Sequence, residues 1–449
     1  MNGRRTLVTV LLAAAAVALM GLHQHLIDLA ALGEHGVGKS RGVLPILDSS
    51  FYLGLPYRVV DPEFGPPQIV HGALFAVALA ECGLLYALYR TLSARAVVPA
   101  ERAAIAVAAL AMLAISLSAR SVLGFDLYAY AGFAKLGLHA AYAPPPTRFP
   151  GDFAAINEVW AVPMIPSPYG PLWIAILQLV DGGARSLHSA VLTLRLLALV
   201  PFAAIAALLA RGRGLVFAAL FALDPSVDVL YVANGHNDLF AVAPLVGALL
   251  VAPAAPLAAA ALAIFAGLVK LPYAGGAFLV FAYRGPLARR ALWVAVTVIA
   301  IAAGSFALGG PPYLHELLLR VKNDNEQHGL SSLTASAIRA ALFVLVVVAL
   351  LTAFVRRRIW RAGSLALVAS SSTAYPWYLM TGLVYACLER GALVVFLVLF
   401  PAGAALLEFA FPHLGLGQVT MLGIVCAGVY QLARRQLRPI DDQTVRPGP

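Results

Sequence analysis

Ala291-Leu-Trp-Val-Ala-Val-Thr-Val-Ile-Ala-Ile-Ala-Ala-Gly-Ser-Phe-Ala-Leu308 carries no charged side chain over eighteen residues, close to the roughly 20 apolar residues a helix needs to cross a bilayer. Further runs at 7–20, 69–89, 190–210, 340–355, 391–409 and 419–432 approach or reach that length. The chain of 449 residues is 61% hydrophobic and only 12% charged, with a mean hydropathy of +0.86. That is far too apolar for an ordinary soluble domain. The pattern predicts an all-α polytopic membrane protein of about 11–13 transmembrane helices.

The net charge of +10 raises the question of nucleic acid, but the basic residues gather at the ends of apolar runs: Arg4-Arg5, then 90–102, 284–290, 356–361 and Arg434-Arg435. This is the positive-inside pattern, so membrane lipids are the expected surroundings and no nucleic-acid partner is expected. The first residues resemble a signal peptide without a small-residue cleavage site, so a retained anchor with both termini cytoplasmic is expected. Cys82, Cys387 and Cys426 all lie in apolar runs without metal-like spacing and read as small core residues.

With Arg4-Arg5 inside, the stretches at about 23–67, 118–168 and 309–336 fall outside as long loops over one face. Residues 1–439 read as one transmembrane domain and 440–449 as a polar cytoplasmic tail. Several apolar segments are too short for a full span: 171–180, 215–223, 257–269, 273–283, 363–374 and 377–388. Most are bounded by proline. Broken helices at membrane depth are tolerated only where they face protein or line a polar cavity, so the bundle is expected to surround one.

Four polar constellations interrupt the apolar background. Gly124-Phe-Asp126-Leu-Tyr128-Ala-Tyr130 offers Asp126 as a general base with Tyr128 and Tyr130 to stack on or bond a sugar; the competing reading is a carboxylate capping a helix over 129–136. Asn234-Gly-His236-Asn237-Asp238 packs four hydrogen-bonding side chains into five residues, suited to substrate hydroxyls, a phosphate or an ion, or else to capping the next helix. Lys270 before Leu271-Pro272 is a lone cation at a helix break, matched to a lipid phosphate, to snorkelling, or to an Asp partner. Tyr375-Pro-Trp377-Tyr378 reads equally as an interfacial aromatic belt. No Walker lysine motif, nucleotide glycine fingerprint, serine elbow or His-Glu-x-x-His zinc motif is present, and Asp126 lacks the Asp-x-Asp partner that would hold a divalent metal under a nucleotide sugar.

Read in order, 121–130, Leu136-Gly-Leu-His-Ala-Ala-Tyr142-Ala-Pro, Ser167-Pro-Tyr169-Gly-Pro-Leu-Trp173, Asp224-Pro225, Asn234 to Asp238, Lys270 and Pro376-Trp377-Tyr378 resemble the actinobacterial polyprenyl-phosphate-mannose-dependent α-(1→6)-mannopyranosyltransferases of the GT-C superfamily. Phe125 stands where that family tends to carry Arg, and Asp224 where it tends to carry Asn. The resemblance implies a GT-C-like bundle in a bacterial plasma membrane, with the active site on the extracytoplasmic side. It implies that Asp126 is the catalytic carboxylate and that Tyr128, Tyr130, Tyr169, His236, Asn237, Asp238, Lys270, Trp377 and Tyr378 bind substrate. A hexose, mannose foremost, would pass from a polyprenyl-phosphate donor to a hydroxyl of a glycolipid or polysaccharide acceptor, with inversion to an α-linkage. Arg120 would join Lys270 and His236 in serving the phosphate, and no metal or other cofactor is expected. A transporter or flippase of lipid-linked saccharides shares the broken helices, but it calls for inverted repeats that the sequence does not display.

Overall fold

The computed structural model describes residues 2–33, 68–119, 126–154, 156–157, 164–281, 285–323, 355, 376–388 and 390–409. Among the described residues every regular element is helical, as a chain without water to satisfy its backbone requires. The elements that matter here are α1 (Asn2–Gly33), α2 (Gln68–Ser93), α3 (Pro99–Ser118), α4 (Asp126–Leu136), α5 (Pro171–Asp181) and α6 (Leu187–Gly212). They are followed by α7 (Leu215–Ala222), α8 (Pro225–Ala233), α9 (Asp238–Val251), α10 (Pro256–Val269), α11 (Leu271–Phe281), α12 (Leu287–Asn323), α13 (Thr381–Ala386) and α14 (Arg390–Phe409).

Five of these contain stretches long and apolar enough to cross a membrane: Gly3–Ile27, Gly72–Ser93, Pro99–Ser118, Leu187–Gly212 and Leu287–Leu319. The pair α7 and α8, bent by 57° at its break, adds a sixth if counted as one span. The protein is an all-α polytopic membrane protein. The expected total of about 11–13 spans draws also on 340–355, 363–374 and 419–432, which lie outside the described residues or nearly so, as do Cys426 and the tail. Outward-facing apolar side chains such as Leu179, 85% exposed, and Val107, 67% exposed, fit a surface bathed in lipid. Inside, small residues let helices approach closely: Ala13 and Ala16 of α1 are buried, as are Ala259, Ala263 and Ala266 of α10.

The first three helices run back and forth, and their ends explain the basic clusters. Pro99 takes the first position of α3, where its missing N–H costs nothing, and Glu101 reaches back to the Val98 N–H at 3.0 Å. Glu101 Oε1 is approached by Arg5 Nε at 3.5 Å and by Arg95 Nη2 at 3.8 Å, while Arg5 Nη2 donates to the Leu92 and Arg95 carbonyls, each at 3.3 Å. The start of α1, the end of α2 and the start of α3 therefore share one end of the bundle. At 1.5 Å per residue α3 then rises about 30 Å, so Asp126, which follows it, belongs to the opposite end.

Three stretches expected to lie outside the membrane contain helix. The stretch beginning at 23 is helical as far as Gly33, because His23 and Gln24 are buried with partners instead of being turned to solvent. The stretch 118–168 contains α4, buried over Leu127 to Ala134. The loop expected from 309 is largely helix: Gly310, at φ +66°, makes a kink, and the chain resumes helically through Pro311 and Pro312 to Asn323. A proline supports the first turn of a helix as readily as it ends one.

The broken segments appear as expected over α5, α7, α10, α11 and α13. In α8 the Asp224 carboxylate accepts the Ser226 N–H at 3.0 Å as a cap. Residues Asp228–Ala233 then form a π-helical turn, a widening often found at functional sites.

Candidate active site

Four chain segments converge at the end of the bundle reached by α3. Asp126 opens α4; His236 follows the π turn; Tyr169 precedes α5; Lys270 ends α10. His236 Nδ1 lies 2.8 Å from Asp126 Oδ2. A carboxylate only accepts, so Nδ1 carries the proton and donates. Asp126 retains 15% side-chain exposure whereas His236 has none. Tyr130 donates to the same oxygen at 3.5 Å, and Tyr169 adds a further hydrogen bond to the carboxylate. Burial opposes the Asp126 charge, but the His236 hydrogen bond and charge, with Lys270 beyond, outweigh it and hold the carboxyl below its usual value of 3.8. The Tyr130 and Tyr169 phenols are pushed well above their ordinary range, mainly by burial, so both remain proton donors.

Two glycines make this approach feasible. Gly235 sits at φ +68°, and a Cβ there would lie 2.2 Å from Leu127 Cδ2; only glycine lets the chain turn tightly enough to bring His236 against α4. Before it, both the backbone N–H and the side-chain amide of Asn234 bond the Val229 carbonyl, closing the π turn. At Gly170 a Cβ would fall 2.1 Å from the Leu268 carbonyl oxygen. Its absence allows the Gly170 N–H to donate to the Val269 carbonyl at 3.0 Å, which sets Tyr169 beside Lys270.

Lys270 Nζ donates to Asp238 Oδ1 at 2.9 Å and lies 4.4 Å from the Tyr378 ring centre and 6.0 Å from that of Tyr169. Tyr273 donates to the same Asp238 oxygen at 2.7 Å and receives the Thr381 hydroxyl at 3.3 Å. Asp238 Oδ2 and both amide atoms of Asn237 have no hydrogen-bond partner among the described residues, though Asp238 is fully buried and Asn237 only 1% exposed. Asn237 stands at the N-cap position of α9 but its side chain makes no cap, contrary to the capping alternative. Around these groups Tyr130 packs edge-on against Tyr169 and Trp173, with centroids at 5.0 and 5.2 Å, and Trp173 leans on Phe240 at 4.8 Å.

The structure thus gathers Asp126, Tyr130, Tyr169, His236, Asn237, Asp238, Lys270 and Tyr378 along linked contacts. Tyr128 is buried two residues from Asp126, hence on the other side of α4, with Arg195 as its charged neighbour. The backbone of Trp377 belongs to the turn Pro376–Met380, but its side chain lies outside the described residues, as do Arg120 and Phe125. Tyr273 and Thr381 were not singled out from the sequence. A hydroxyl three residues after a helix-breaking Lys is the signal that would have found Tyr273. Among the described residues no group of three or more His, Cys, Asp or Glu is arranged to hold a metal ion.

No curated protein and no solved structure matches the chain. The family described as alpha-(1->6)-mannopyranosyltransferase, N-terminal domain, matches residues 62–284, a stretch that includes Asp126, Tyr169, His236, Asp238 and Lys270. Over these residues the chain resembles the alpha-(1→6)-mannopyranosyltransferase family, and it is a membrane-embedded glycosyltransferase.

Proposed function

We propose that the protein transfers mannose from a polyprenyl-phosphate sugar to a hydroxyl of a glycolipid or polysaccharide acceptor on the extracytoplasmic face of a bacterial plasma membrane. The observation that carries this is the 2.8 Å pairing of His236 with Asp126 beside an aromatic wall and the buried cation Lys270. Charge supports this face: Arg5 and Arg95 lie at the end of α3 opposite the one that leads to Asp126, and basic ends tend to stay cytoplasmic. Short helices facing a cavity would suit a lipid-tailed donor entering sideways from the bilayer.

In the proposed step the acceptor oxygen attacks the anomeric carbon from the face opposite the phosphate. The new C–O bond forms as the bond to the phosphate oxygen breaks, and that electron pair leaves with the polyprenyl phosphate. The hydroxyl proton passes to Asp126. A carboxylate held low is a weak base, but the attacking hydroxyl becomes strongly acidic as its bond to carbon forms, so a positioned acceptor suffices late in the step. A β-linked donor thereby yields an α-linked product. The departing phosphate monoester needs charge stabilisation more than protonation, which Lys270 and His236 supply in a site shielded from water. A buried polar group without a partner costs about 1–3 kcal/mol; donor sugar hydroxyls would satisfy the Asn237 amide and Asp238 Oδ2. Tyr130, Tyr169 and Tyr378 would bound the sugar, and no metal takes part.

Purified protein in nanodiscs, given radiolabelled polyprenyl-phosphate-mannose and a lipid-acceptor extract, tests the reading. Labelled product from wild type with chelator present, and none from Asp126→Asn, is the expected result. Transfer that depends on added divalent metal, or that survives Asp126→Asn, overturns the mechanism.

A further inference from the structure

Arg195 is the only charge in the apolar run 190–210 and lies within the spanning helix α6. It is completely buried. An ionised side chain at such a position is expensive and marks function more often than chance. Its contacts are specific: Nε donates to the Ala233 carbonyl at 2.8 Å and Nη1 to the Leu117 carbonyl at 3.1 Å. Leu117 is in the last turn of α3, the helix that precedes Asp126 in the chain. Ala233 ends the π turn, three residues before His236.

Carbonyls at helix C-termini lack intrahelical partners and carry partial negative charge. Arg195 satisfies one from each of the two segments whose continuations meet at the Asp126 carboxylate. Its guanidinium is a rigid planar fork, so two donors in fixed relative geometry bind two carbonyls in fixed relative geometry. A lysine ammonium supplies the charge without that constraint. On α4, Tyr128 is the neighbour that senses the Arg195 charge, whereas Asp126 is engaged by His236, Tyr130 and Tyr169.

We propose that Arg195 is a positioning residue for sugar transfer: by tying the ends of α3 and of the π turn together, it sets the approach of His236 to Asp126. It touches neither donor nor acceptor. The inference rests on the reading of Asp126 as the catalytic carboxylate.

The test compares wild type, Arg195→Lys, Arg195→Met and Asp126→Asn as full-length protein in nanodiscs. Steady-state transfer from polyprenyl-phosphate-mannose is normalised to sites that bind donor in an equilibrium measurement. A displacement of about 1 Å at a reacting group lowers turnover about 100-fold. Arg195→Met is therefore expected to lose about that factor in kcat, with donor KM within about threefold of wild type, and Arg195→Lys to recover part of the loss. Because a merely structural arginine changes how much protein binds donor and not the turnover of what does, unchanged kcat per binding site in Arg195→Met overturns the inference, as does a loss confined to KM. Should Arg195→Met leave no donor-binding protein, Arg195→Lys decides: a wild-type kcat there overturns the clamp, a reduced one at unchanged KM supports it. Full turnover by Asp126→Asn overturns the catalytic reading itself, and the inference with it.

Discussion

Two of the buried ionisable clusters among the described residues are built differently. In the first, midway along α2, Glu81 is fully buried; Oε1 meets His23 Nδ1 of α1 at 2.7 Å and Oε2 accepts the Ser226 hydroxyl of α8 at 2.8 Å. Both carboxylate oxygens are engaged, inside a spanning helix, by its neighbours. In the second, Asp126, His236, Asp238 and Lys270 all sit at helix ends or between helices, Asp126 keeps partial exposure, and Asn237 and one Asp238 oxygen are left without partners among the described residues. Burial of charge is common to both. What separates a clasp from a candidate site here is the partial exposure of Asp126, because a substrate can reach only a carboxylate that is not closed in on every side.

Substitutions at the second cluster should strike turnover or donor binding, and those at the first should strike stability alone. The largest expected effect is Asp126→Asn, a loss of about 10²- to 10⁴-fold in kcat with donor affinity retained, measured by single-turnover transfer beside equilibrium binding. Next comes Lys270→Met, which strands Asp238 as an unpaired buried carboxylate at a cost of about 3–5 kcal/mol and removes the cation proposed to face the donor phosphate. Donor KM should rise at least about tenfold, and Lys270→Met with Asp238→Asn should regain stability without regaining affinity, as thermal unfolding and binding would reveal together. Smaller is Glu81→Gln, which should lower stability by about 1–3 kcal/mol yet leave kcat and donor KM of the folded fraction unchanged; a change in kcat would erase the distinction between the clusters.

The smallest concerns pH. The Asp126 carboxyl is held below 3.8 in the folded protein. Its contribution to stability is thus complete above that value and lost as pH falls through the lower native one. His236→Gln removes the main stabilising partner, so the acid limb of turnover should move upward in pH. An acid limb that stays in place would show that His236 does not govern this carboxylate.

The short helices were readable in advance because proline and glycine punctuate them in the chain itself: Pro171, Pro225, Pro256 and Pro272 each sit at the start of a described element. The helices at 309–323 and 23–33 were harder to read, for two different reasons. Pro311 signals either the end of a helix or its first turn, and only the conformation at Gly310 tells which. His23 is polar in sequence, yet Glu81, far away along the chain, keeps it inside the bundle. The site was half legible. Asp126 and the His236 to Asp238 run stood out as dense polarity in an apolar setting, but Lys270 allowed three partners and the fold selected Asp238. Arg195 was visible as a lone charge in a spanning run, and its role emerged only from the two carbonyls it holds.

By its composition and its apolar run lengths, the sequence alone determined a helical membrane protein and the residues available for chemistry. These depend on partitioning between water and lipid, which each segment undergoes largely on its own. The tertiary structure decided which of those residues meet. The pairing of Asp126 with His236 spans 110 positions and that of Lys270 with Asp238 spans 32. Such encounters depend on how helices pack and on close approaches such as those at Gly170 and Gly235, which no local pattern encodes.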